Sequence, residues 1–275
     1  NDVLSLIDCG EGTQLQLQRY NFKANRIKYI FISHLHGDHY LGLVGLISSM
    51  HLNGRKEDLY IFGPPGLKEI IDLQLHYSET QLRYNLVFQP TRADEVTQLL
   101  ADSNFEVTSF PISHRIPCTG YIFKEKQRLP RINKELIEGL DIPIAYYPLI
   151  KKGIDYTDPS GNLYKANELT IPAAIPKSYA FCSDTVYTES YWPYIRNVTL
   201  LYHEATFLHD MADRAAETFH TTALQAAEIA KAVNAKRLLI GHFSARYKDL
   251  QPLLDESKTL FPNTELAIEG QTFEI

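Results

Sequence analysis

Three histidines and an aspartate crowd into six residues, His34-Leu35-His36-Gly37-Asp38-His39. Imidazole nitrogen and carboxylate oxygen are the usual zinc ligands where thiolates are not used. In a packed core each of these side chains would need a hydrogen-bond partner of its own. A metal centre is the chemistry this spacing offers. A solvated loop is the alternative, and the apolar runs on either side, Lys28–Ser33 and Tyr40–Leu52, argue against it. Four ligand-type residues cannot all serve one tetrahedral ion and leave it an open position. Two ions sharing a bridging group fit better, and such pairs sit about 3.5–4 Å apart. More ligands must then come from afar. His114 follows the strand-like Asn104–Phe110, Asp184 follows Tyr179–Cys182, and His242 follows Leu238–Gly241. Singly, each reads as a structural or surface residue. Their common setting at the end of a strand-like run joins them to the first cluster.

The elements that must position these residues follow from pattern. Val3–Asp8 is a short apolar run ending in Cys9-Gly10-Glu11-Gly12, a strand and a turn, and Thr13–Tyr20 suits a helix. Lys28–Ser33 is β-branched and aromatic and predicts a buried strand that Gly37 breaks. Tyr40–Leu52 suits a helix packed on it. Leu59–Phe62 is a strand stopped by Gly63-Pro64-Pro65-Gly66, and Leu67–Tyr77 returns to helical spacing. Near the C-terminus Ser178–Cys182, Val198–Tyr202 and Arg237–Ile240 read as strands, and Thr222–Val233 as a helix opened by the capping box Thr222…Gln225. Strands alternating with helices indicate α/β layers. Asn104–Phe110 and Tyr121–Phe123 look antiparallel, so mixed sheets are expected.

Composition bounds the rest. The chain has 275 residues, 44% hydrophobic and 22% charged, which suits a soluble globular protein and excludes disorder, collagen-like repeats and a disulfide scaffold. That length buries roughly 70–75% of the extended surface, so no disulfide or metal is needed merely to fold. No stretch approaches the ~18 apolar residues of a membrane span, so no membrane partner is expected, and the sequence as given opens on Asn1, not Met, with no signal-peptide pattern; a cytoplasmic location is expected. Cys9, Cys118 and Cys182 are odd in number, widely spaced and without a CxxC pair, as reduced buried thiols of a cytosolic protein would be. The net charge of −6 does not favour nucleic acid by whole-molecule electrostatics, so RNA binding would need local basic patches or bound cations. One segment stands apart. Lys124–Pro172 carries Pro130, Pro143, Pro148 and Pro159, the turn Asp158-Pro159-Ser160-Gly161, and a basic start of Lys124, Lys126, Arg128, Arg131 and Lys134. It reads either as an excursion that carries function or as a variable surface insertion.

His34 to His39 matches the HxHxDH motif of the metallo-β-lactamase superfamily. The motifs around it resemble one branch, the ribonuclease Z family, endonucleases that trim the 3′ end of precursor transfer RNA. They are Asp8-Cys9-Gly10-Glu11-Gly12-Thr13-Gln14, His114-Arg115-Ile116-Pro117-Cys118-Thr119-Gly120-Tyr121, Ser183-Asp184-Thr185, His203-Glu204-Ala205-Thr206, the His220-Thr221-Thr222 helix start, and Gly241-His242-Phe243-Ser244-Ala245-Arg246-Tyr247. The resemblance implies an α/β fold, a four-layer αββα sandwich of two mixed sheets over residues 1–275, without the family's N-terminal hairpin. It implies one zinc on His34, His36, His114 and Asp184, and a second on Asp38, His39, Asp184 and His242, with Asp184 and a hydroxide bridging. Mn2+ or another divalent ion is an alternative to Zn2+. Asp38, His220 and Glu204 would be catalytic, Glu204 orienting a His220 that supplies a proton to the leaving oxygen. His220 has a plainer reading as a helix cap. The products would be a transfer RNA ending in 3′-hydroxyl and a trailer with a 5′-phosphate. The segment 124–172 would be the flexible arm that grips the transfer RNA, with Lys124, Lys126, Arg128, Arg131, Lys151, Lys152 and Arg246 on phosphates. The arm departs from the family pattern at Ile144-Ala145-Tyr146-Tyr147-Pro148, where many relatives carry Gly-Pro. A homodimer is also implied. Two other readings compete: a hydrolase of the same fold acting on small phosphodiesters, thioesters or lactones, and a non-catalytic metal-dependent RNA-binding scaffold.

Overall fold

The computed structural model describes residues 4–275. Val3, the start of the expected Val3–Asp8 strand, lies outside the described residues. Strand β1 (Leu4–Ile7), helix α1 (Thr13–Arg19), β2 (Ile27–Phe31), α2 (Gly37–Tyr40), α3 (Leu43–Leu52), β3 (Leu59–Gly63), α4 (Leu67–Tyr77) and β4 (Leu86–Pro90) form the first layers. Their sheet has the order β1-β2-β3-β4. All of its described pairings are parallel, where a mixed sheet was expected. The reason is the connections: helical crossovers return the chain to the same edge each time, so successive strands point the same way.

The second sheet begins with β5 (Thr97–Ala101), β6 (Phe105–Ile112) and β7 (Cys118–Glu125). Links of three residues (102–104) and five residues (113–117) join them. Both are too short for a parallel crossover, so these strands turn back on one another. The chain then leaves for β8 (Arg131–Ile132), α5 (Lys134–Ile137), α6 (Tyr147–Ile150), β9 (Tyr156–Thr157), β10 (Leu163–Tyr164) and β11 (Thr170–Ile171). It returns as β12 (Ser178–Cys182), β13 (Leu200–Glu204), α7 (Ala212–Thr218), α8 (Ala223–Ala232), β14 (Arg237–Gly241), α9 (Gln251–Leu260) and β15 (Thr264–Leu266). The sheet order is β15-β14-β13-β12-β7-β6-β5, and the pairings from β12 to β15 are parallel, so this sheet is mixed.

Two compact units result, one of residues 1–101, 107–123 and 178–275 and one of 102–106 and 124–177. In the first, alternation along the strands sorts the layers, since successive side chains point to opposite faces. Ile30, Ile32, Leu59 and Ile61 join Leu43, Leu46, Ile47, Met50 and Ile71 of α3 and α4 in one core. Leu201, Leu238 and Ile240 join Ala223, Ala226, Ala227, Ile229 and Ala230 of α8 in another. The alternate positions are aromatic and meet between the sheets. Phe31 stacks on Phe62 at 4.8 Å and touches Tyr121 and Phe123 at 5.3 and 5.2 Å, and Phe181 stacks on Tyr202 at 4.7 Å. Tyr121 Oη donates across the interface to the Ile32 carbonyl at 2.6 Å. The expected αββα sandwich is therefore present, with an aromatic seam between its sheets. The smaller unit has its own core of Ile137, Ile142, Ile150, Tyr156, Ala166 and Leu169. Among the described residues no helix is long and apolar enough to cross a membrane.

Candidate active site

Each candidate ligand sits just past the C-terminal end of a strand. His34 follows β2, His114 follows β6, Asp184 follows β12, and His242 follows β14; Asp8 follows β1, and Glu204 is the last residue of β13. In open α/β sheets this is where side chains from separate strands converge. Locally, the turn after β1 clamps the histidine-rich turn. Cys9 N–H donates to the His39 carbonyl at 2.7 Å, and Gly42 N–H to the Cys9 carbonyl at 2.9 Å. A Cβ at Gly10 would stand 2.1 Å from the Asp38 carbonyl oxygen, and one at Gly42 would stand 2.0 Å from that of Gly10, so only glycine permits this approach.

The donor atoms of the expected ligands form two groups, and His220 makes a third with Asp184 and His242. In the first, His36 Nδ1 lies 3.0 Å from His34 Nε2 and 3.1 Å from His114 Nε2. Asp184 Oδ2 lies 3.6 and 3.8 Å from those two Nε2 atoms. In the second, Asp38 Oδ2 is 3.4 Å from His39 Nε2 and 3.6 Å from His242 Nε2. Asp184 Oδ1 is 3.5 and 3.3 Å from the same two nitrogens. One oxygen of Asp184 thus faces each group. Ligands bonded at about 2.0–2.1 Å to a tetrahedral ion are separated by about 3.3–3.4 Å, and the separations here bracket that spacing.

The back nitrogens explain why these atoms are free to bind a cation. His114 Nδ1 lies 3.0 Å from the Phe219 carbonyl, which can only accept, so Nδ1 carries the proton. His39 Nδ1 donates to Asp8 Oδ2 at 2.8 Å, and its buried Nε2 makes no hydrogen bond at all. His34 Nδ1 pairs with Ser33 Oγ at 3.0 Å, and Ser33 Oγ donates to Asp8 Oδ2 at 2.9 Å. Partners of this kind fix ring orientation and tautomer at metal sites. A buried nitrogen without a hydrogen bond, 3.4 and 3.5 Å from two carboxylates, fits a metal ion.

Electrostatics agree. Burial, then the neighbouring His39, pushes the His34 imidazole down to about 3. Burial likewise lowers His36 and His114. Burial opposes charging of His39, yet Asp184, Asp38 and Asp8 outweigh it and lift its pKa to about 12. Asp38 is held far below the usual carboxylate range by the facing His242 and His39 rings. Burial raises Asp184, but His39 and His242 overcome this and hold it low. Without a metal, His39 and His242 offset the charge of Asp38 and Asp184, while His34, His36 and His114 stay neutral; a bound cation would take over that offsetting role.

Beside these groups, Glu204 is fully buried and accepts from His220 Nδ1 at 3.0 Å. The His220 ring lies 5.5 Å from those of His114 and His242. His220 does not cap α8; Thr222 does, with the reciprocal bond from Gln225 completing the capping box.

Comparison with known proteins places this arrangement. The chain is 48% identical over 271 residues to ribonuclease Z of Cytophaga hutchinsonii, covering 98% of this chain and 86% of that one. It is 45% identical over 274 residues to ribonuclease Z of Porphyromonas gingivalis strain W83, covering 100% of this chain and 90% of that one. The chain belongs to the ribonuclease Z family. Residues 1–128 also match the family described as Anti-Pycsar protein Apyc1. Among solved structures, human tRNase Z, short form, superposes with a TM-score of 0.70 at 27% identity, over 98% of this chain and 88% of that one. The metallo-β-lactamase fold protein YhfI from Bacillus subtilis does so at 0.66 and 20% identity, over 98% and 86%, a likeness of fold.

In this ribonuclease Z family member the seven expected ligands and the Glu204–His220 pair come together. Arg131, Lys151 and Lys152, with Lys134, line one cavity of about 1000 Å³ floored by Ile132, Ile137, Ile144 and Tyr147. Lys124 and Arg128 are exposed and outside it, and Lys126 Nζ is held on the Asp102 carbonyl at 2.6 Å. Arg246, in the larger unit, lies over the Phe207 ring at 5.0 Å. Sequence reasoning gave no role to Asp8, Ser33, Thr206 or Arg115, whose Nη2 is 3.2 Å from His36 Nε2. The strand-end rule that found the ligands would also have found Asp8; no periodicity singles out Thr206.

Proposed function

We propose that this chain is a two-zinc endoribonuclease that removes the 3′ trailer from precursor transfer RNA, leaving a 3′-hydroxyl on the transfer RNA and a 5′-phosphate on the trailer. The observation that carries the reading is the pair of donor groups sharing Asp184 next to the buried Glu204–His220 pair, in a chain nearly half identical to ribonucleases Z. His34, His36, His114 and Asp184 would hold one ion, and Asp38, His39, Asp184 and His242 the other. Ions held there lower the pKa of bound water and neutralise phosphate charge.

The remaining steps belong to this chain's own side chains. Asp8 and Ser33 hold His39 and His34 with their free nitrogens toward the site. Glu204 accepts from His220 Nδ1–H and would steady the doubly protonated ring, so that Nε2–H passes its proton to the leaving 3′ oxygen and leaves a neutral imidazole. Arg131, Lys151 and Lys152 around the cavity of residues 124–172 meet RNA phosphates as the arm. Three buried free thiols suit a cytoplasmic enzyme, and the family resemblance supports a homodimer, which light scattering would test.

The deciding experiment is incubation with a labelled precursor transfer RNA and mapping of the cut. Cleavage just 3′ of the discriminator base is expected. Hydrolysis of a small chromogenic phosphodiester, thioester or lactone with the precursor left intact would overturn the reading in favour of a smaller substrate. Zinc near zero per chain after gentle purification would point to a scaffold.

A further inference from the structure

We infer that Thr206 is a positioning residue whose hydroxyl links the buried Glu204 carboxylate to His242, fixing which His242 nitrogen is free to bind a cation. The hydroxyl has one proton and two lone pairs. Its oxygen lies 2.5 Å from Glu204 Oε2, 3.0 Å from His242 Nδ1, 3.0 Å from the His242 carbonyl and 3.3 Å from His220 Nδ1. Glu204 settles where the proton goes. Fully buried, its carboxylate oxygens need hydrogen-bond donors from the protein. Its Oε1 takes Thr185 N–H at 2.9 Å and His220 Nδ1–H at 3.0 Å, and its Oε2 takes Thr206 N–H at 3.2 Å. The fourth donor is the Thr206 hydroxyl, at the shortest of its distances and to the only charged acceptor in reach.

With its proton given to Glu204, the hydroxyl can only accept. His220 has already given its Nδ1 proton to the same carboxylate, so the donor to Thr206 is His242 Nδ1–H. His242 Nε2 is then bare, and it faces Asp184 Oδ1 at 3.3 Å and Asp38 Oδ2 at 3.6 Å. His242 also needs this outside hold: it has a φ of +59°, where regular strand bonding no longer places the ring. One carboxylate therefore serves both imidazoles, His220 directly and His242 through Thr206.

This rests on the reading above that His242 holds a cation, and the experiment separates the two. Wild type, Thr206→Val, Thr206→Ser, Glu204→Gln and His220→Ala are loaded with zinc, and metal stoichiometry and affinity are measured by chelator competition. Visible absorption of the Co2+-substituted proteins reports ligand geometry. Thr206→Val keeps the volume and removes the hydroxyl; one of two ions should bind about 10- to 100-fold more weakly, with an altered Co2+ spectrum. Thr206→Ser and His220→Ala should match wild type. Glu204→Gln never touches the ion but turns the hydroxyl proton toward His242, so it should lose affinity as Thr206→Val does, and it decides the matter if Thr206→Val does not fold. Unchanged affinity in Thr206→Val and Glu204→Gln, or a loss in Thr206→Ser equal to that in Thr206→Val, would overturn the inference and leave the two-ion reading standing. Wild type that takes up fewer than two ions would overturn that reading itself.

Discussion

At the scale of single residues, the centre is organised by what lies behind the atoms proposed to hold the ions. His39 is held by Asp8, His114 by the Phe219 carbonyl and His34 by Ser33. Asp8→Ala should therefore weaken one ion about 10- to 100-fold without removing a ligand, a loss that metal analysis after dialysis against chelator would reveal. His220 lies within reach of Asp184 and His242, but its Nδ1 is tied to Glu204. His220→Ala should slow precursor cleavage roughly 10²–10⁴-fold in single-turnover assays, with metal content unchanged. Loss of metal in that variant would make His220 a ligand and refute its assignment as proton donor.

At the scale of elements, strands deliver ligands and helices hold the strands. The capping box of α8 was legible because a threonine and a glutamine three residues apart have a local job. Thr222→Ala should lower stability by about 1 kcal/mol, seen as a lower urea midpoint with metal content retained. Strand ends were less legible. Val198–Tyr202 was the expected strand, but β13 runs on to Glu204. His203 and Glu204 look like loop residues by polarity. They continue the ladder because Tyr191 Oη meets His203 Nε2 at 2.8 Å and Thr185 N–H meets Glu204 at 2.9 Å, partners distant in sequence. Similarly, the expected helix Tyr40–Leu52 is divided into α2 and α3, since Gly42 packs against Gly10.

At the scale of the molecule, residues 124–177, with 102–106, make a unit with its own small core. Removing Arg128–Ile171 should abolish cleavage of precursor transfer RNA while sparing hydrolysis of a small chromogenic phosphodiester. Equal loss of both activities would mean that the segment supports the fold and not the substrate.

By itself the sequence determined the kind of chemistry and most of the layers. HxHxDH offers only a few uses for its side chains, and alternation of aliphatic with aromatic residues along β2, β3 and β13 sorts the two faces of each sheet locally. Residue types and spacing did not divide the seven donors; the family resemblance implied two groups about one aspartate, and the tertiary structure brings four strand ends together to make them. It also decided that His220 turns to Glu204 instead of capping α8, and that the smaller sheet is parallel. Those outcomes depend on how strands far apart in the chain are aligned, and strand alignment is set by the packing of whole sheets, which no short stretch of residues encodes.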